Sequence, residues 1–166
     1  MPSQPTFEPA PLFACLERHQ VDYIVIGGLA GFAHGAGWPT YDADIVVERS
    51  PQNLSRLLVV LRDVDAIYDT FHQPPLRPDE RLLALGSGPQ LFRTKYGRLD
   101  VLKEAGGETY DSLLSDAVAS QLYGVVVRCA GLEALLRMKR AANRPKDQPA
   151  IAKIEAKLRE REQSPE

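Results

Sequence analysis

The sequence is poor in the residues that build small stapled or metal-folded proteins. Its 166 residues include only two cysteines, Cys15 and Cys129, and three histidines. Two isolated thiols exclude a disulfide framework, and no metal-ligand or redox spacing is evident. Each cysteine sits in an apolar stretch, Leu12 to Leu16 and Val125 to Ala130, and reads as a small core residue. His19 and His72 have no partner at metal spacing and receive no role. A chain without disulfides is expected in a reducing cytoplasm. No apolar run approaches the length needed to span a bilayer, so no membrane partner is expected. The opening Met-Pro-Ser-Gln-Pro lacks the basic-then-apolar pattern of a signal peptide. There is no internal repeat and no long linker. The length suits one domain, able to bury a core without staples.

A strong net charge is also missing, since the total is −2. The distribution is uneven. Residues 1–127 carry 10 Lys and Arg against 16 Asp and Glu (−6), and residues 128–166 carry 10 against 6 (+4). A basic C-terminal part beside an acidic body has two readings: a polyanionic ligand near that end, or a solvated helical face.

What the chain does have is alternation of strand and helix signals. Residues 1–11 hold four prolines and read as a loose arm. A short helix is expected from Leu12 to His19-Gln20. Val21 to Ile26 is short, β-branched and apolar, which fits a buried strand stopped by Gly27-Gly28. Leu29 to His34 allows a helical turn or two. Ala43 to Glu48 reads as a second strand. Ser50-Pro51 then looks like an N-cap with proline at the first helical position, and Leu54, Leu57, Leu58 and Leu61 follow at helical spacing. Residues 70–80 are proline-rich and read as a loop. Leu82 to Leu85 and Gln90 to Thr94 read as two short strands around the turn Gly86-Ser87-Gly88-Pro89. Arg98 to Leu102 is a third core strand, Tyr110 to Leu114 a short helix, and Val125 to Arg128 a last strand. Helices over Gly131 to Ala142 and Pro149 to Arg161 close the chain. The expected fold is α/β or α+β, with a small mixed sheet flanked by helices and C-terminal helices. Its core covers 12–128, and residues 129–166 form a helical part of the same domain.

The most informative stretch is Gly27-Gly28 followed, after thirteen intervening residues, by Asp42-Ala43-Asp44 at the head of an apolar strand. Residues two apart on a strand project to one face, so Asp42 and Asp44 point the same way. Adjacent carboxylates repel unless a cation lies between them. Hard oxygen ligands suit Mg²⁺ or Mn²⁺. A third acid, Asp100, opens another apolar strand, Leu99 to Leu102. If the two strands are neighbours, the three acids converge on one edge of the sheet. Three carboxylates holding two divalent ions are the apparatus for in-line displacement at phosphorus. A glycine pair at a strand-to-helix turn lets the backbone approach a phosphate.

With those residues in view, the run YIVIGGLAGFAHGAGWPTYDADIVV resembles the signature of the DNA polymerase beta-like nucleotidyltransferase superfamily. The Gly-Gly form, with His34-Gly35 downstream and Thr40 two residues before Asp42, is similar to the AbiEii-type toxin nucleotidyltransferases. The segment LEALLRMKRAANRPKD resembles the same group. The resemblance spans roughly residues 12–158 and implies the nucleotidyltransferase fold. It further implies that Gly27 and Gly28 contact the triphosphate of an NTP such as ATP, and that Asp42 and Asp44 bind metal. Asp100 completes the triad and acts as general base. Lys139 reaches the nucleotide phosphates, with Asp147 as its partner and with Arg144 and Lys146 beside them. Relatives often carry another acid before the last helix, where this chain has Gln148-Pro149.

The implied reaction moves a nucleoside monophosphate to a hydroxyl of RNA, tRNA included, or of a protein, within a toxin–antitoxin system whose cognate partner would be a further protein. Two alternatives stand beside it: a silent domain that binds a nucleotide or a partner, and an antitoxin that modifies its cognate protein. Several residues carry two readings. His34 serves either the Gly-Gly turn and a phosphate, or a structural hydrogen bond. Trp38 either stacks on a nucleobase or covers the sheet edge. Arg137, Lys139 and Arg140 form either a ligand-facing or a solvated helix face. Lys153, Lys157, Arg159 and Arg161 alternate with Glu155, Glu160 and Glu162 as an ion-paired helix.

Overall fold

Strand β1 (Tyr23–Ile26) is buried along its whole length and passes without a loop into helix α2 (Gly27–Ala33). This and the elements below come from a computed structural model that describes residues 5–86 and 88–164. Helix α1 (Pro9–Arg18) precedes β1. It begins within the segment expected to be a loose arm, because Pro9 and Pro11 fall in its first turn, where a missing N–H costs no hydrogen bond. Ahead of it, the Glu8 amide donates to the Tyr96 carbonyl at 2.8 Å. Residues 1–4 of that arm lie outside the described residues.

After α2 come strand β2 (Asp42–Val47) and helix α3 (Pro51–Asp63). The expected cap is present: the Ser50 hydroxyl accepts from the Asn53 amide at 3.2 Å, and Leu57, Leu58 and Leu61 are buried. Fully buried Asn53 holds the start of α3 to two loops, donating to the carbonyls of Asp22 and Glu48 and accepting from the Asp22 amide. Strand β3 (Ile67–Tyr68) was not anticipated. Leu82 to Leu85 is not a strand. Its first three residues fall in helix α4 (Glu80–Ala84), which Leu85 ends and Asp79 starts, the Asp79 side chain accepting from the Leu82 amide at 2.7 Å. A short apolar run has no periodicity of its own, and the aspartate cap decides its conformation. Ser87, in the turn expected after it, lies outside the described residues.

Strands β4 (Gln90–Thr94) and β5 (Gly97–Leu102) form a hairpin. A second hairpin, β6 (Glu104–Ala105) with β7 (Glu108–Thr109), leads into helix α5 (Tyr110–Leu114). Strands β8 (Val118–Leu122) and β9 (Val125–Cys129) follow. Helix α6 (Leu132–Ala142) ends at left-handed Asn143, a 3₁₀ turn covers Pro145–Asp147, and helix α7 (Gln148–Gln163) closes the described chain.

The main sheet has the order β3-β4-β5-β2-β1-β9-β8. It is mixed: β2 runs parallel to β5 and β1 parallel to β9, while the other neighbours are antiparallel. On β2 the side chains of Ala43, Ile45 and Val47 are buried, and Asp42 and Asp44 occupy the alternate face. Burial of each large aliphatic side chain contributes about 1.5–3 kcal/mol, so this pattern fixes which way the acids point.

Candidate active site

The parallel register of β2 and β5 sets Asp42 beside Arg98 and Asp44 opposite Asp100. The acids therefore converge on two central strands, not at the sheet's margin. Asp42, Asp44 and Asp100 each offer a carboxylate oxygen, and these oxygens all lie within 4.8 Å of one another. Burial, then the charges of Asp42 and Asp100, push the Asp44 carboxyl up to about 8. Asp100 is also raised, chiefly by burial. The two share a hydrogen bond that favours a proton on Asp44. One Asp100 oxygen, Oδ1, is buried with no hydrogen-bond partner. A buried orphan oxygen beside two further carboxylates is unfavourable without a proton or a cation. The donor set is all carboxylate, so the residues present fit Mg²⁺ or Mn²⁺. The Thr40 hydroxyl donates to the Asp42 backbone carbonyl (3.2 Å) and lies within reach of its carboxylate (3.3 Å).

The glycines have separate duties. Gly27 sits at φ +67°, and a Cβ there would lie 2.5 Å from Asp44 Oδ2. Glycine is required because the acid occupies that space. A Cβ on Gly28 would meet Thr40 at 2.6 Å, so Gly28 packs on the residue that orients Asp42. Gly27 lines the cleft described below, and Gly28 is not among its lining residues.

Lys139 on α6 is reached by the same cleft. Its Nζ donates to Asp147 Oδ1 at 3.1 Å and stands 5.0 Å above the Trp38 ring. Arg144 Nε donates to Asp147 Oδ2 at 2.7 Å. Burial alone would raise the Asp147 carboxyl, but the bonds from Arg144 and Lys139 outweigh it and hold it below the usual range. Lys139, Arg144 and Asp147 are thus one unit. Lys146 is exposed on the 3₁₀ turn and is not a lining residue. Trp38 packs against Gly31, where a Cβ would lie 2.5 Å from the ring, so it covers α2. His34 is structural. Its Nε2 donates to the Ala130 carbonyl at 2.8 Å, and its Nδ1 accepts from Arg161 at 3.0 Å, joining the end of α2 to the link between β9 and α6 and to α7.

The cleft encloses about 530 Å³ between the sheet and α6. Besides Asp44, Asp100, Lys139 and Arg144 it is walled by Leu91, Leu102, Leu135 and Met138, with Glu104 and Gly106 from the β6–β7 hairpin. The sequence reading missed that hairpin wall. Gly106-Gly107 was its available signal, since both residues take positive φ. A second correction concerns His19. It has partners after all: Nε2 lies 2.8 Å from Asp63 Oδ2, with Cys15 in the same cluster.

No family model matches the sequence, and no curated protein matches it either. Solved structures do match. The antibiotic-resistance factor ANT(2'')-Ia superposes with a TM-score of 0.61 at 15% identity, over 92% of this chain and 81% of that one. The same protein in complex with adenylyl-2''-tobramycin gives 0.60 at 14% identity, over 90% of this chain and 87% of that one. The lincosamide antibiotic adenylyltransferase LnuA, bound to lincomycin, gives 0.60 at 15% identity, over 91% and 98%. At these identities the likeness is one of architecture, and the chain has the nucleotidyltransferase fold.

Proposed function

We propose that the protein is a metal-dependent nucleotidyltransferase that moves a nucleoside monophosphate from an NTP, ATP in first place, to a hydroxyl of a small acceptor. The observation that carries the reading is the convergence of Asp42, Asp44 and Asp100 around an orphan buried oxygen. These three acids would hold Mg²⁺ or Mn²⁺, two ions in the expected chemistry, which when bound neutralise the triphosphate and the departing pyrophosphate. Asp100 takes the proton of the acceptor hydroxyl. The hydroxyl oxygen bonds to the α-phosphorus, the bond from that phosphorus to the bridging oxygen breaks, and pyrophosphate leaves. Lys139, steadied by Asp147, faces the phosphates, with Arg144 beside it. Gly27 keeps the approach to Asp44 free of a Cβ.

The acceptor follows from charge and size. Arg137, Lys139, Arg140 and Arg144 are all paired with carboxylates, on Glu108, Asp147, Glu155 and Asp147. Four cations thus share three carboxylates, and a basic stretch paired to this extent offers less to an RNA backbone than its count of Lys and Arg suggests. A cleft of about 530 Å³ with an apolar wall and a few polar groups suits a drug-sized molecule. The molecules bound by the structural neighbours, adenylyl-2''-tobramycin and lincomycin, support the same class. The resemblance to toxin-type enzymes points instead to RNA or protein, with a cognate antitoxin. One experiment separates these. Alpha-labelled ATP, Mg²⁺ and the purified protein are incubated with the small-molecule, RNA and protein fractions of a cell extract. Label in the small-molecule fraction is expected. Label in RNA or protein would establish the toxin-type acceptor. ATP binding with no label anywhere would leave a silent nucleotide-binding domain.

A further inference from the structure

We propose that Cys15, His19 and Asp63 form a second metal site, of the kind that takes Zn²⁺, which clamps the end of α1 to the end of α3. Cys15 and His19 are four residues apart at the C-terminal turn of α1, with His19 as the residue that ends the helix. That spacing places both side chains on one helix face. Asp63 is the last residue of α3. One ligand atom from each of the three lies within 4.8 Å of the other two. A thiol sulfur, an imidazole nitrogen and a carboxylate oxygen make a Zn²⁺ ligand set, and with a water they complete four-coordination. The nucleotide site is built from carboxylates alone and prefers hard ions, so the two sites select different metals.

The cluster already attracts a cation. Arg18 NH2 lies 3.4 Å from Cys15 Sγ and 3.9 Å from Asp63 Oδ2. Its side chain is 65% exposed and can turn into water when a metal arrives. The path in is open, because the side chains of His19 and Asp63 are 27% and 45% exposed above the buried thiol. Binding sends the Cys15 proton to solvent, since the thiolate is the ligand. The guanidinium then becomes a competitor of the metal, and this separates a metal site from a mere ion-paired network.

The test is a Co²⁺ titration of metal-stripped protein carrying Asp42→Asn and Asp44→Asn, so that the nucleotide site is silenced. A thiolate-to-cobalt charge-transfer band is expected, saturating at one equivalent and bleached by Zn²⁺. It should vanish in Cys15→Ser. His19→Ala and Asp63→Asn should weaken affinity by about tenfold or more, the scale reached even by outer-shell partners. Arg18→Ala should tighten it. Absence of the band, its survival in Cys15→Ser, or a looser site in Arg18→Ala would overturn the proposal. Should Cys15→Ser fail to fold, His19→Ala and Asp63→Asn decide, and parental affinity in both would overturn it equally.

Discussion

Asp44 and Asp100 occupy paired positions on the adjacent parallel strands β2 and β5, so the ladder holds the two carboxylates side by side. In the absence of metal the pair relieves its repulsion by holding a proton. Asp44 has a folded value near 8, above the 3.8 of an ordinary aspartate. The folded state therefore binds more protons than the unfolded state between those limits. Stability from this group is full below about pH 4 and is lost as pH rises toward 8. Metal-free protein should melt at progressively lower temperature across that window. Mg²⁺ or Mn²⁺ should restore the loss by mass action. Asp44→Asn should flatten the profile and remove the metal response. A wild-type melting temperature that rises from pH 5 to 8 without metal would contradict the arrangement.

Gly27 allows a controlled comparison. Gly27→Ala introduces two penalties, a left-handed backbone costing about 1–2 kcal/mol and a Cβ pressed against the Asp44 carboxylate. Gly124 also has positive φ, +80°, but nothing lies within 4 Å of its absent Cβ. Gly124→Ala should lower the melting temperature alone. Gly27→Ala should lower it further and also weaken Mn²⁺ binding, as read by water-proton relaxation. Equal Mn²⁺ affinity in the two variants would remove the contact from the account.

The buried Asp147 carboxylate has two cationic partners, so the loss of one is tolerable. Lys139→Ala should weaken ATP binding in calorimetry while costing roughly 1–3 kcal/mol of stability, because Arg144 still pairs with Asp147. Asp147→Ala should weaken ATP binding as well, by freeing Lys139 from its position. Lys146→Ala should change neither quantity. An Asp147→Ala protein with parental ATP affinity would show that Lys139 needs no positioning.

His34 is expected to matter for folding only. His34→Ala leaves the Ala130 carbonyl without its side-chain donor and unties Arg161, at a cost of about 1–3 kcal/mol in chemical denaturation. ATP affinity measured well below the melting temperature should be unchanged. A selective loss of ATP affinity would return His34 to the site.

How much of this was legible depends on the range of the interactions. The buried strand before Gly27-Gly28, the Asp42 and Asp44 alternation and the Ser50 cap are local, and local pattern is what a sequence displays. Helix α4 was legible too, but Asp79 went unread as its cap and the run Leu82 to Leu85 was taken for a strand. The pairing of Asp44 with Asp100 spans 56 positions, and register between distant strands has no local signature. Val118 to Leu122 alternates weakly and lies at the sheet's margin, where one exposed side demands little apolar character. The neutralisation of Arg137, Arg140 and Arg144 depends on partners from other elements or turns. The sequence left the helix bearing Arg137 and Arg140 between a ligand-facing and a solvated face, because those partners are invisible until the chain folds. Cys15 and His19 were passed over as metal ligands, because their third partner, Asp63, is brought in by α3 from 44 positions beyond His19.

The most direct measurement is pyrophosphate release from ATP, in the presence of the small-molecule acceptor fraction, by wild type, Asp44→Asn and Asp100→Asn. Mg²⁺-dependent pyrophosphate is expected in step with labelled acceptor, abolished by chelator and reduced at least about a hundredfold in each variant. Release of inorganic phosphate in place of pyrophosphate, or undiminished pyrophosphate from Asp44→Asn and Asp100→Asn, would contradict it.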